Sequence, residues 1–100
     1  MLAEIRTYTL APGGQAPMSR QFDEVNRPIF TDLGFVILGP WLRPLRKGVQ
    51  FIYIAEFDSA EDRESKWAAF GEDPRWVEAQ ALSQGAPELV AAVDIVEVGR

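Results

Sequence analysis

Glu4, Arg6 and Tyr8 recur at every second position near the start of the chain. On an extended strand that spacing puts a carboxylate, a guanidinium and a phenol on one face. A guanidinium in a partly dry cavity, with a phenol beside it, can orient a carboxylate, an enolate or a phosphate through paired hydrogen bonds. The plainer reading is an ion pair, Arg6 with Glu4 or with Glu56, that satisfies charges inside a sheet. Tyr53, Trp41 and Glu56 complete the candidate ligand-binding set of Glu4, Arg6, Tyr8, Tyr53, Trp41 and Glu56. Glu56 could serve as a carboxylate base, with Arg6 stabilising an enolate or oxyanion, if burial raises its pKa. Tyr53 reads more simply as a strand aromatic with a satisfied hydroxyl, and Trp41 and Trp67 as core. Trp76 reads as packing at the first turn of a helix, and Asn26 as a polar helix residue making a local hydrogen bond. Arg43, Arg46 and Lys47 place three cations on one loop, which most simply is a solvated hairpin.

What the chain lacks narrows the chemistry further. It has 100 residues, no His and no Cys, which removes imidazole and thiolate as metal ligand, haem ligand, base or nucleophile. No Asp/Glu spacing resembles a calcium loop, so neither a metal nor a cofactor is expected. A net charge of −5 argues against nucleic acid or an anionic membrane as partner. No apolar run is long enough to span a bilayer, and no basic-then-apolar leader is visible, so a soluble cytoplasmic protein is expected. A hydrophobic content of 47% and a charged content of 25% are ordinary for a globular chain of one domain, residues 1–100.

The elements that would position these residues are legible. Leu2 to Leu10 reads as a strand, and Ala11 to Gly14 as a turn. A helix follows with Met18, Phe22, Val25, Ile29 and Leu33 on one face, and Pro28 predicts a kink or a second helical piece after Arg27. Gly34 ends it, and Phe35 to Leu42 forms a strand in which Pro40 marks an edge position or a bulge. Arg43 to Gly48 reads as a hairpin loop. Phe51 to Phe57 is an aromatic and β-branched strand, apolar on both faces and therefore mid-sheet with cover on each side. Ser59 caps a helix, with Asp62 near a capping-box position and Gly71 as its left-handed stop. Asp73 and Pro74 start another helix that fades near Ser83. A loop of Gln84, Gly85, Ala86 and Pro87 leads to a last strand from Ala91 to Val98.

The order β-α-β-β-α-β, with an extra helix before the last strand, predicts an α+β fold of ferredoxin-like type with an antiparallel four-stranded sheet. Helices cover one face of such a sheet. The apolar residues on the other need a second copy, so a homodimer with sheets meeting face to face is expected.

Three motifs carry a family resemblance. Glu4 to Tyr8 followed by Leu10 to Gly13, Ala55 to Ser59, and Asp73 to Trp76 resemble NIPSNAP-domain proteins across nearly the whole chain. The resemblance implies a dimeric α+β barrel enclosing a cavity, and no generally established chemistry. Ala55 and Tyr53 depart from it, since members often carry Trp and His there, which alters cavity size and polarity.

Three function classes follow. The first is a barrel binding a small, mainly apolar or carboxylate-bearing molecule, anchored by Arg6 and Tyr8. The second is an enzyme resembling cofactor-independent monooxygenases or isomerases of the same architecture. The third is an interaction module using the acidic residues Glu61, Asp62, Glu64, Glu72 and Asp73 on the outer helix.

Overall fold

Four strands form one antiparallel sheet in the order β2-β3-β1-β4, where β1 is Leu2–Leu10, β2 Val36–Leu45, β3 Gly48–Phe57 and β4 Val90–Gly99. This computed structural model describes residues 1–83 and 88–99, so the loop expected over Gln84 to Pro87 lies outside the described residues. The helices are α1 (Gln15–Gln21), a π turn over Phe22–Asn26, α2 (Arg27–Leu33), α3 (Ala60–Glu72) and α4 (Pro74–Leu82). The ferredoxin-like α+β arrangement with an extra helix is therefore the observed one, and β3 sits inside the sheet.

Burial along β3 alternates strictly. Phe51, Tyr53, Ala55 and Phe57 are buried, while Ile52, Ile54 and Glu56 between them are half-buried. The buried set lies beneath the helices, with Phe22, Ile29, Phe30, Phe35 and Phe70 closing over it. Of the cover expected on both faces, the chain's own helices supply one. Among the described residues nothing packs on the other, which leaves Leu38 and Trp41 of β2 and Val96 and Val98 of β4 exposed.

Pro28 acts as the sequence predicts, in a specific form. It has no N–H to give residue 24, and its ring crowds that carbonyl. The preceding turn widens, so that the Arg27 N–H bonds the Phe22 carbonyl, five residues back. The widened turn lets Phe30 face the sheet alongside Ile29, both buried.

Gly34 ends α2 in a left-handed conformation, φ 78°. Pro40 lies on the edge strand, and the β2–β3 register shifts between Leu38 and Trp41, so both expectations for it hold. Two local expectations fail. Gly71 does not stop α3, which runs to Glu72 and is closed by Asp73 in an extended conformation, because a residue before proline is disfavoured as helical. The basic loop is also shorter than Arg43 to Gly48. The ladder continues to the Leu45–Gly48 pair, leaving Arg46 and Lys47 as the turn.

Ser59 caps α3 by accepting from the Asp62 N–H at 3.1 Å, while the Asp62 carboxylate accepts from the Asp58 N–H at 3.0 Å. Asp73 caps α4 by accepting from the Arg75 N–H at 2.9 Å. These bonds hold both carboxyls below the usual aspartate range, Asp62 chiefly through the Asp58 amide and Asp73 chiefly through the Arg75 side chain. Two of the five acidic residues considered for a partner surface are thus engaged in capping.

Candidate functional site

The β1–β3 register sets Arg6 opposite Tyr53, Tyr8 opposite Phe51 and Glu4 opposite Ala55. Glu4, Arg6, Tyr8 and Tyr53 therefore share the sheet face that the helices cover. Glu56 and Trp41 do not. Glu56 alternates onto the open face, and Trp41 joins it there opposite Ile52, half exposed. The six candidates divide four and two across the sheet. Cooperation of Glu56 as base with Arg6 as oxyanion stabiliser, and an Arg6–Glu56 ion pair, are both excluded by that division.

The four that remain form one network. Arg6 Nη1 donates to Glu4 Oε1 at 3.1 Å, and Trp67 Nε1 donates to the same oxygen at 2.9 Å. Arg6 Nε donates to the Tyr8 hydroxyl at 2.9 Å, and the two tyrosine hydroxyls stand 3.3 Å apart with their rings stacked nearly parallel. The guanidinium lies over the Trp67 ring, 4.5 Å from its centroid. Glu4 is buried at 7% exposure, so its charge needs these partners. The ion pair is thus real. Arg6 directs two of its donors at Glu4 and Tyr8 and positions the phenol pair.

Burial opposes the Arg6 charge, but Tyr53, Tyr8 and Glu4 outweigh it and hold its pKa above the ordinary value. Burial, reinforced by Tyr8 and offset in part by Arg6, pushes the Tyr53 phenol well up. Tyr53 is accordingly a neutral hydroxyl rather than a phenolate base. A phenol whose folded pKa is raised stabilises the fold fully below its unfolded value near 10 and loses that contribution as pH rises beyond it. We expect the denaturation midpoint of the wild type to fall above about pH 10, and the fall to be shallower in Tyr53→Phe. Parallel alkaline profiles would show that Tyr53 is not held neutral by the fold.

Two cavities adjoin this network on the helix side. The larger, about 1030 Å³, lies between the β1–β4 side of the sheet, the first helix and α4. Tyr8, Tyr53 and Val93 form its floor, Met18, Val25 and Asn26 one wall, and Trp76 and Ala79 the other. The smaller, about 200 Å³, reaches Arg6 and Trp67 and shares Tyr8, Tyr53, Asn26 and Trp76 with it. Trp76 packs against Phe70, as expected of a first-turn aromatic, and also lines both cavities.

Asn26 differs from its expectation. The expected local hydrogen bond is not formed, and its buried Oδ1 has no partner among the described residues. The π turn made by Pro28 carries this residue, and π turns in helices are frequent at functional sites. A polar residue just before a helix-interior proline was the available signal. Val25, Met18 and Val93 gave none, since apolar spacing does not distinguish a cavity wall from packed core. Arg43, Arg46 and Lys47 are exposed and do not line either cavity.

Among the described residues no group of His, Cys, Asp or Glu could hold a metal ion, and no helix is long and apolar enough to cross a membrane.

The NIPSNAP family model matches residues 3–94. The crystal structure of protein Atu4242 from Agrobacterium tumefaciens superposes with a TM-score of 0.83 at 23% identity, over 99% of this chain and 92% of that one. An uncharacterised NIPSNAP domain protein from Burkholderia xenovorans gives 0.82 at 17% identity, over 100% and 94%. A variant of the protein MhuD, with two manganese protoporphyrin IX molecules bound per active site, gives 0.65 at 14% identity, over 100% and 94%. At these identities the likeness is one of fold. No curated protein matches the chain in sequence.

Proposed function

The chain belongs to the NIPSNAP family, and on that premise we propose that it binds a small, mainly apolar molecule in the cleft between its sheet and its helices. The observation that carries this reading is the cleft itself, an apolar-walled space of about 1030 Å³ whose floor holds two adjacent tyrosine hydroxyls. Ligand sites combine apolar walls with a few convergent polar groups in this way. Tyr8 and Tyr53 are the anchors, and Arg6 positions them. The carboxylate-bearing alternative is weakened because Glu4 already neutralises Arg6.

The open sheet face belongs to a second copy of the same chain. Val36, Leu38, Trp41, Val96 and Val98 lie on it, each close to half exposed, and among the described residues no element is left to cover them. Each copy then keeps its own cleft on the far side of its sheet from the dimer contact.

A neutral fluorescent probe, N-phenyl-1-naphthylamine, separates the two surfaces. Its emission should rise with the wild type, stay high with Trp41→Glu, and drop at least about tenfold with Val25→Trp, which fills the cleft. Sedimentation should show Trp41→Glu as a monomer and Val25→Trp as a dimer. Emission lost in Trp41→Glu but kept in Val25→Trp would place binding on the open face and refute the cleft.

A further inference from the structure

Arg6 and the two phenols spend only part of their hydrogen-bonding capacity on one another. A guanidinium carries five N–H groups and no acceptor. Arg6 uses one on the Tyr8 hydroxyl, through Nε, and one on Glu4, through Nη1, which leaves three with no acceptor among the described residues. In the planar fork one Nη2–H runs parallel to Nε–H, so it points to the same side as the Tyr8 hydroxyl. Tyr8 and Tyr53 bring two hydroxyl hydrogens and the bond between them uses one, so whichever phenol donates, the other keeps a hydrogen. Asn26 adds its amide nitrogen, since Oδ1 is the enclosed end of that side chain. All four residues line the smaller cavity, while Glu4, the acceptor at the centre of the network, lines neither cavity.

The smaller cavity is therefore weighted toward donors. Arg6, the phenol pair and Asn26 each offer a hydrogen, and the phenol oxygens are the acceptors among its lining side chains. Donors arranged so suit an oxygen that accepts more than one bond and has no hydrogen to give. Trp67, Phe70 and Trp76 supply aromatic walls to this space of about 200 Å³, which suit a flat ring. Arg6 is the charged residue of the lining and Glu4 pairs with it at 3.1 Å, so a neutral oxygen completes the site with no further charge to bury. Arg20 stands exposed on the larger cavity with Glu24 and Glu88, and not on this one.

We propose that the polar end of the ligand is a carbonyl oxygen on a flat conjugated body, as in an aryl ketone, accepting from Arg6 Nη2 and from the free phenol hydrogen with the Asn26 amide nitrogen alongside. This rests on the cleft as the binding site and adds the chemical class of what binds there.

The test uses three probes on one naphthalene ring, 2-acetonaphthone, 2-ethylnaphthalene and 2-naphthoate, titrated by calorimetry near neutral pH. The ketone should bind the wild type about tenfold or more tightly than the hydrocarbon, which leaves the donors unmet. In Glu4→Leu/Arg6→Leu, checked for folding by its urea transition, that ratio should fall to about one, and the carbonyl stretch of the bound ketone should lie higher than in the wild type. In Tyr8→Phe/Tyr53→Phe, which removes both hydroxyl hydrogens, the ratio should also fall. A ratio unchanged in both variants would overturn Arg6 and the phenols as the donors. Equal affinity of ketone and hydrocarbon for the wild type, with the N-phenyl-1-naphthylamine signal present, would overturn the carbonyl and leave the cleft reading standing. Naphthoate binding more tightly than the ketone would overturn it in favour of an anion, and loss of that excess in Arg20→Ala would put the anion at the larger cavity. Failure of all three probes and of the naphthylamine would overturn both.

Discussion

Phe30→Ala should cost about 3–5 kcal/mol, a large share of the 5–15 kcal/mol typical of a whole domain. Phe30 is 2% exposed and lies within 6 Å, centroid to centroid, of Phe22, Phe35, Tyr53, Trp67 and Phe70. It joins α2, α3 and the middle strand at one point. Truncation removes the transfer energy of the ring and leaves a void whose rigid aromatic walls collapse poorly. Urea denaturation gives the value directly, with Val77→Ala as a control, since Val77 is 53% exposed and should change stability by less than about 0.5 kcal/mol. A loss under about 1 kcal/mol for Phe30→Ala would mean that the helices do not close on the sheet through this residue.

Glu4→Leu should be nearly as damaging for a different reason. It leaves the Arg6 charge under the helices without its carboxylate and the Trp67 N–H without its acceptor. Breaking one partner of a buried pair typically costs 3–5 kcal/mol, and the 18% exposure of the Arg6 side chain puts the expected loss near the lower end, about 3 kcal/mol. Removing both charges in Glu4→Leu/Arg6→Leu should recover much of it, because an apolar pair of similar volume needs no desolvation. Denaturation midpoints of the two variants decide the point. A double variant destabilised by more than the single would contradict the account of Arg6 and Glu4 as a mutually compensating pair.

Much of this was legible in the sequence because the signals were local. Period-two alternation gave β1 its bounds, and apolar residues on both faces gave β3 its place inside the sheet. Ser59 and Asp73 announced the starts of α3 and α4 through caps that the structure contains. Gly71 misled because its permissive backbone is only an opportunity to stop, while Pro74 two residues before Trp76 imposes one. The site was half legible. Alternation correctly grouped Glu4, Arg6 and Tyr8, but which face a helix covers depends on the register between strands and on where helices land. Glu56 and Trp41 were separated from the other four by those long-range facts. Asn26 and the cleft walls were less visible still, since a cavity is the space that packing leaves and no residue pattern encodes it. The phenol pair needed the β1–β3 register, which sets Arg6 opposite Tyr53 across strands.

The chain's three tryptophans report on three different places. Trp41 lies on the open face, Trp67 donates to Glu4 beneath the cleft, and Trp76 lines its wall. Their indole N–H resonances, followed while N-phenyl-1-naphthylamine is added, test the central claim that ligand binds between sheet and helices. The account predicts that Trp76 shifts with saturation, that Trp67 follows it, and that Trp41 stays still. Movement of Trp41 alone would contradict it and put binding on the opposite side of the sheet.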